Sequence, residues 1–312
     1  MKNATTILTR HPENPVIKPA DVDNAMAVFN PSPVMYQGKI LLVLSVYKFG
    51  TNMPVGAFIA ESADGVHFTV RDKPLIDLRK APYPFNQVGS FLIDNRIAQI
   101  EDTYYFVTPV DIAPGGPVGM LGRTKDFQTY EPMEIITLPS NRGASLFPEK
   151  INGKYYRLDR PGGGEMGSPI WICSSPDLIH WGCYRPLLQP GYAFWNRVKI
   201  GPTPPIKTPA GWLVITHGVW SWMDSDYHYY IAAMLLDLEN PERIIGKTSS
   251  WLLAPEKEYE LHGVVSDVVF PCGAIADFKK DELRLYYGAA DTSVGLATGP
   301  LSAVIEACQK EL

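Results

Sequence analysis

Asp94 and Arg96 stand one residue apart in the segment FLIDNRIAQI. On a strand that spacing puts both side chains on one face, where an arginine can orient a carboxylate. A carboxyl held in an apolar setting keeps its proton to higher pH and can serve as a general acid. A turn salt bridge is the plain alternative. A second group comprises Arg142 in NRGASLFPE, with Arg157, Asp159 and Arg160 in YYRLDRP. Strand alternation puts Arg157 and Asp159 on one face, and Leu158 and Arg160 on the other. Arg142 and Arg160 flank the turn at Asn152 and Gly153, so a hairpin can bring them together. Converging guanidiniums repel unless an anion or carboxylate joins them, and phosphate suits their bidentate geometry. Pairing with Glu149 or Asp159 is the alternative. Lys199 in VKIGPTPPI adds positive character, as does His217 in ITHG, although a lone buried histidine is more often structural. Glu256 and Glu260 in PEKEYELHG, and Asp291 at the end of YYGAAD, are further carboxylates. Two carboxylates in a cleft suit glycosidic bond cleavage. One acid beside an anion site suits a narrower reaction, in which phosphate is itself the nucleophile.

Residues so far apart in sequence need a frame that brings them to one place. Five strands recur after a turn centred on Gly or Asp: GKILLVLS from Gly38, DTYYFVTP from Asp102, GKYYRLDR from Gly153, GWLVITHG from Gly211 and DELRLYYG from Asp281. Their spacing is that of a four-stranded blade with its loops. A second pattern supports the first: SADGVHF (62–68), TKDFQTY (124–130) and SPDLIHW (175–181) share Ser or Thr, then Asp, then an aromatic residue. LLDLENP (235–241) is a variant. Such segments read as tight turns with the aromatic starting the next strand. Together the repeats predict an all-β, five-bladed β-propeller occupying residues 1–312 as one domain. An irregular β-sandwich is the rival. The last residues, LSAVIEACQKEL, predict a short terminal helix.

Composition narrows the partners. The formal charge is −5 without a long basic run, which argues against nucleic acid. No apolar stretch is long enough for a membrane helix. The first residues, MKNATTILTRHPENP, lack the apolar core of a secretory signal, so a cytoplasmic location is expected. The cysteines Cys173, Cys183, Cys272 and Cys308 are widely spaced and read as buried thiols. No metal site and no cofactor are expected. The glycine-rich stretches APGGP (113–117) and PGGGEMG (161–167) lack the Lys-Ser/Thr ending of a nucleotide loop and read as cleft-side loops. Sixteen tyrosines and seven tryptophans suit both strands and a sugar cleft. The segment WSWMDSDYHYY (220–230) reads as a lid, a sugar platform or an aromatic surface loop.

In order along the chain, HPENPVIKP, VFNPSPV, IDNRI, NRGASLFPE, RLDRP, KIGPTPPI, GW…THG, LLDLENP, PEKEYELHG, VVFPCG and YYGAAD resemble glycoside hydrolase family 130, mostly β-mannoside phosphorylases. The resemblance implies a five-bladed propeller and an inverting reaction. A β-mannoside and inorganic phosphate, the co-substrate, give α-mannose 1-phosphate and a shortened sugar. It implies that Asp94 is the general acid, acting through a hydroxyl of the bound mannose. It places Arg142, Arg160, Lys199 and His217 at phosphate, and Asn30, Arg96, Asp159, Tyr229, Glu256 and Asp291 at the sugar or in support. Assembly into a homo-oligomer is common in the family. Members that act as β-mannosidases lack the full basic set, so a hydrolase is the alternative, and a non-catalytic glycan-binding propeller is another. The chain departs from the family pattern at Ile93, where Glu is usual, at Tyr230, where Arg is usual, and at Asp267, where Asn is usual. The first is expected to alter mannose contacts, the second to remove a phosphate contact.

Overall fold

A computed structural model describes residues 7–51, 54–78, 81–83, 85–89, 93–112, 116–162, 167–223 and 226–310. Residues 113–115 and 163–166 of the two glycine-rich stretches, and 224–225 of the aromatic segment, lie outside the described residues.

The strands form five antiparallel sheets arranged as the blades of a propeller. Blade one runs outward through Ala25–Tyr36, Lys39–Lys48, Pro54–Ser62 and Thr69–Val70. In blade two the innermost line is broken into Val88–Gly89 and Arg96–Ile100, followed by Thr103–Ile112, Gly116–Thr124 and Glu131–Ile135. Blade three comprises Ser145–Leu146, Tyr155–Asp159, Ile170–Ser175 and Gly182–Leu188. Blade four has Lys199–Pro202 and Ile206–Thr208 innermost, then Gly211–Ser221, Tyr227–Leu236 and Ile244–Lys247. Blade five has Val269–Pro271 and Ile275–Asp277 innermost, then Glu282–Ala289 and Ser293–Pro300; Thr9–Arg10 is its outermost strand. That pairing, Thr9 with Thr298 and Arg10 with Ala297, ties the start of the chain to its last blade.

The repeated strands are therefore second from the axis in each blade. They are the regular ones because both their faces are covered, and in blades one, two and four most of their positions are apolar. Leu41 and Val43 face blade two while Ile40, Leu42 and Leu44 face blade five. In blade four Trp212 and Val214 face blade three, and Leu213 and Ile215 face blade five. Each of the five main apolar clusters fills one gap between neighbouring blades. The Gly and Asp turns before these strands are left-handed corners, with Gln37, Gly38, Asn152, Gly153 and Asp281 all at positive φ.

The Ser/Thr-Asp-aromatic segments link the third and fourth strands of their blades. Asp64 accepts the backbone N–H of Val66 and His67, Asp126 those of Gln128 and Thr129, Asp177 those of Ile179 and His180, and Asp237 those of Glu239 and Asn240. These are side-chain-closed turns. The aromatic does not start the next strand but stops one residue short of it; Phe68, Tyr130 and Trp181 each turn into an inter-blade cluster. Blade five has no such turn after its third strand. There the chain enters the helix Leu301–Gln309, whose Leu301, Val304 and Cys308 join the cluster between blades four and five. Cys173, Cys272 and Cys308 are buried as expected; Cys183 is exposed, because the outermost strand of blade three has one face to solvent.

Candidate active site

The second strands all run from the turn end of the ring toward the opposite end, and the innermost lines begin there. That end collects the chemistry. The innermost lines are irregular where they carry it. Blade one has a register shift between Phe29 and Ser32, which contains Asn30. Asp94 occupies the gap between the two pieces of blade two. Asn30, Asp94 and Asp291 adopt φ of 48°, 56° and 46°. Asn and Asp tolerate this left-handed region better than other non-glycine residues.

These three residues form the acidic side. Asn30 Nδ2 donates to Asp94 Oδ1 at 2.7 Å, and a side-chain hydrogen bond from Asn30 also reaches Asp291. Ser45 Oγ accepts the Asp94 backbone N–H at 3.3 Å. Burial, and then the charge of Asp94, push the Asp291 carboxyl up to about 7, against the hydrogen bond from Asn30 and the charge of Lys199. Arg96 is 2 % exposed but does not hold the Asp94 carboxylate, as the spacing suggested. Asp94 precedes the strand, so alternation does not apply. The Arg96 Nη1 instead donates to the Asp94 main-chain oxygen, and its Nε to the Pro202 carbonyl at 3.3 Å. The guanidinium lies over the Phe270 ring, 5.6 Å from its centroid. Arg96 thus shapes the backbone of the acid segment.

The basic side lies on blades three and four. Arg160 directly follows the second line of blade three, facing blade four, and Asn141 Oδ1 accepts its backbone N–H at 3.3 Å. This contact, with the bridge between Asn141 and Pro161, brings Arg142 beside Arg160. His217 stands opposite Gly201 in the ladder of blade four, fully buried, 4.5 Å from Phe270 between ring centroids. Lys199 stands at the start of the same inner line, its Nζ 4.9 Å from the centre of the Tyr229 ring. Burial, then Arg160 and Arg142, push Lys199 down to about 8. Burial and Arg96 bring Arg160 down to about 10. His217 is held well below its ordinary value by burial and by Arg160, Arg96 and Lys199, so its ring is neutral at pH 7. Burial pushes Tyr229 up. Arg96 Nη2, Arg160 Nε and both His217 ring nitrogens are buried without a hydrogen-bond partner among the described residues. A crowd of mutually repelling cations with unspent donors is suited to an anion.

Two assigned residues lie elsewhere. Asp159 takes both carboxylate oxygens to Arg157 at 2.8 Å. Alternation sends this pair toward blade two, where Arg157 donates to the Ile136 carbonyl, and away from Arg160. The pair lines a cavity of about 320 Å³ with Trp171, Tyr184, Asn141 and Pro161. Glu256 is half-exposed on the blade-five loop and pairs with Arg10 at 3.1 Å; Glu260 takes the same arginine at 2.7 Å in a buried position. Both glutamates belong to the closure of blade five. Glu149 pairs with Lys207 at 2.5 Å. Tyr230 points to the opposite face of its strand from Tyr229, against Trp251 and Trp195, so the departure there lies off the basic face. Ile93 packs with Ala27, Phe29 and Tyr47. In the aromatic segment, Trp220 and Trp222 gather with Phe194 and His228 on that same far face, with Trp222 70 % exposed.

Tyr47 and Gly201 were not legible as site residues. Tyr47 stacks on Phe29 at 5.3 Å, and burial, then the charges of Asp291 and Asp94, push its hydroxyl up. Nothing near Tyr47 in sequence announces this. A Cβ on Gly201 would lie 2.3 Å from His217 Cε1 and 2.7 Å from Arg160 Cδ, so only glycine leaves both side chains their places. The KIGPTPPI motif contains that glycine without revealing what it faces.

The sequence profile of glycoside hydrolase family 130, described as β-1,4-mannooligosaccharide phosphorylase, matches residues 3–310. The chain is 41 % identical over 257 residues to a β-1,2-mannobiose phosphorylase of Listeria innocua serovar 6a, covering 81 % of this chain and 68 % of that protein. It is 33 % identical over 308 residues to a β-1,4-mannooligosaccharide phosphorylase of Ruminococcus albus, covering 96 % and 90 % of the two. A solved structure of β-1,2-mannobiose phosphorylase from Listeria innocua, in complex with β-1,2-mannobiose, superposes with a TM-score of 0.85 at 32 % identity, over 97 % of this chain and 99 % of the other. Blade for blade and nearly end to end, this chain is a member of glycoside hydrolase family 130.

Proposed function

We propose that this chain is an inverting β-mannoside phosphorylase acting on a β-1,2- or β-1,4-linked mannooligosaccharide or a mannosyl-glucose. The observation that carries this reading is the gathering of Arg142, Arg160, Lys199 and His217 within one another's electrostatic reach, with Asp94 and Asp291 near enough to act on Lys199. A hydrolase that activates water needs a carboxylate base and has no use for four groups of that kind. A binding module needs neither side.

In this reading the basic groups hold inorganic phosphate beneath the anomeric carbon and stabilise charge as it moves between phosphate and sugar. A phosphate oxygen forms the new bond to the anomeric carbon as the glycosidic bond breaks on the opposite face, which converts β to α. Asp94 supplies the proton for the leaving oxygen, through a hydroxyl of the mannose as the family resemblance implies. Neutral His217 donates one N–H to phosphate. Arg96, Ser45 and Asn30 hold the acid in place.

The test is incubation with β-1,2-mannobiose, β-1,4-mannobiose and mannosyl-glucose, with and without phosphate, assayed for α-mannose 1-phosphate. Phosphate-dependent release from one of them is expected. Free mannose formed equally well without phosphate would sink the reading and select a hydrolase. Asp94→Asn is expected to abolish nearly all turnover while sugar binding persists.

A further inference from the structure

We propose that Asn141 is the positioning residue that sets the spacing of Arg142 and Arg160, and that it does so through one side-chain oxygen. Asn141 Oδ1 accepts the backbone N–H of Gly143 at 3.3 Å and the backbone N–H of Arg160 at 3.3 Å. The first bond closes a turn around Arg142. The second ties that turn to Arg160, at the end of the second line of blade three. Turned the other way, the amide would set its own N–H groups against two N–H donors, so the oxygen is the end that faces them.

Backbone contacts fix the frame around this link. The Asn141 N–H donates to the Pro117 carbonyl of blade two at 2.9 Å, and the Gly162 N–H donates to the Ser140 carbonyl at 2.6 Å. Asn141 itself bridges to Pro161. The loop that carries Arg142 is thus laid against the segment that carries Arg160. The approach is close enough to require glycine: a Cβ on Gly143 would lie 2.7 Å from Arg160 Cβ and 3.3 Å from its Nε. From blade four, a Cβ on Gly201 would lie 2.7 Å from Arg160 Cδ. The Arg160 stem therefore runs between two glycines, and its Nε is buried without a hydrogen-bond partner among the described residues.

Arg142 is near enough to Arg160 to repel it. Guanidiniums that repel need a scaffold to keep one separation before an anion arrives. A neutral amide oxygen bonded to the main chain supplies it, whereas a carboxylate in that place would repel the anion. Asn141 touches neither sugar nor phosphate in this account; it acts through the two arginines. The proposal rests on the phosphorylase reading above.

The test compares the wild type with Asn141→Ala, Asn141→Ser and Gly143→Ala. Initial rates of phosphorolysis are measured with phosphate and mannoside varied in turn, beside thermal melts with and without inorganic phosphate. Asn141→Ala is expected to raise KM for phosphate about 10-fold and to shrink the rise in Tm that phosphate gives. KM for the mannoside and kcat at saturating phosphate should change far less. Asn141→Ser returns an acceptor oxygen and should recover part of the loss. Gly143→Ala keeps Asn141 but drives the loop from Arg160 by about 0.7 Å, from 2.7 Å to ordinary contact near 3.4 Å, and should raise KM for phosphate by a similar factor. A merely structural role would lower Tm and kcat and leave KM for phosphate in place. That result in Asn141→Ala, or the same phosphate KM in the Ala and Ser variants, overturns the proposal. If Asn141→Ala does not fold, Gly143→Ala decides, and an unchanged KM for phosphate overturns the proposal. A wild type whose rate and Tm both ignore phosphate overturns the phosphorylase reading and this proposal with it; a phosphate-dependent wild type with unmoved variants overturns this proposal alone.

Discussion

Gly201→Ala is a one-carbon change that separates phosphate use from folding. The added Cβ would sit 2.3 Å from His217 Cε1, whereas ordinary contact begins near 3.4 Å, so one of the two must retreat by about 1.1 Å. His217 is backed by the Phe270 ring at 4.5 Å and by Tyr229 at 6.4 Å, and Arg160 Cδ is 2.7 Å from the new atom. The imidazole and guanidinium therefore move together, away from the positions in which they meet phosphate. A misplacement of about 1 Å at a reacting site costs roughly 100-fold, equivalent to about 2.7 kcal/mol. Overpacking in the interior costs about 1–3 kcal/mol of stability, which lowers Tm by several degrees without unfolding the chain at 25 °C. The assay is the initial rate of α-mannose 1-phosphate release against phosphate concentration, beside a thermal melt. kcat/KM for phosphate is expected to fall by about 100-fold. Gly182→Ala, in a strand where nothing lies within 4 Å of the new carbon, is the control and should match the wild type. A folded Gly201→Ala protein with wild-type kcat/KM for phosphate would refute the placement of phosphate against His217 and Arg160.

Lys199 is held down at about 8 by burial and by Arg160 and Arg142, so kcat/KM for phosphate should decline as pH rises through that value, and Lys199→Arg should carry the decline to higher pH. The sign for stability is opposite. A depressed lysine binds fewer protons folded than unfolded between about 8 and its ordinary value near 10.5, so its penalty is full below that window and relieved across it. Lys199→Met should accordingly raise Tm at pH 7 while phosphate use is lost, as differential scanning calorimetry and rate assays will show. Inorganic phosphate should itself raise Tm, by linkage, and Arg142→Ala should reduce that rise together with the apparent phosphate affinity. At the closure of blade five, Arg10→Ala leaves fully buried Glu260 with Tyr287 and two backbone N–H groups as its remaining partners. Removing one partner of a buried pair costs about 3 kcal/mol at the low end of such cases, read as an upward shift in unfolded fraction in urea with phosphate kinetics unchanged.

The second strand of each blade could be read from sequence because it is buried on both faces and regular, so its pattern repeats as GKILLVLS, GWLVITHG and DELRLYYG do. The turns before and beyond it were legible for the same reason: Gly38, Gly153 and the capping Asp64, Asp126 and Asp177 answer to local backbone demands. The innermost lines were not legible as strands. The line of blade one shifts register at Asn30, that of blade two breaks around Asp94, and the piece that starts at Lys199 has only four residues, so none shows a long regular pattern. The motifs named Arg142, Arg160, Lys199 and His217, but their convergence depends on contacts between neighbouring blades. The one-residue step from Asp159 to Arg160 shows the limit most sharply, since alternation sends one toward blade two and the other toward blade four. Sequence alone determined the repeating unit, the turn chemistry and the types of chemical group available. Ring closure decided which of those groups meet, because the repulsion of Lys199 by Arg160 and Arg142 and the bond from Asn30 to Asp94 arise between blades.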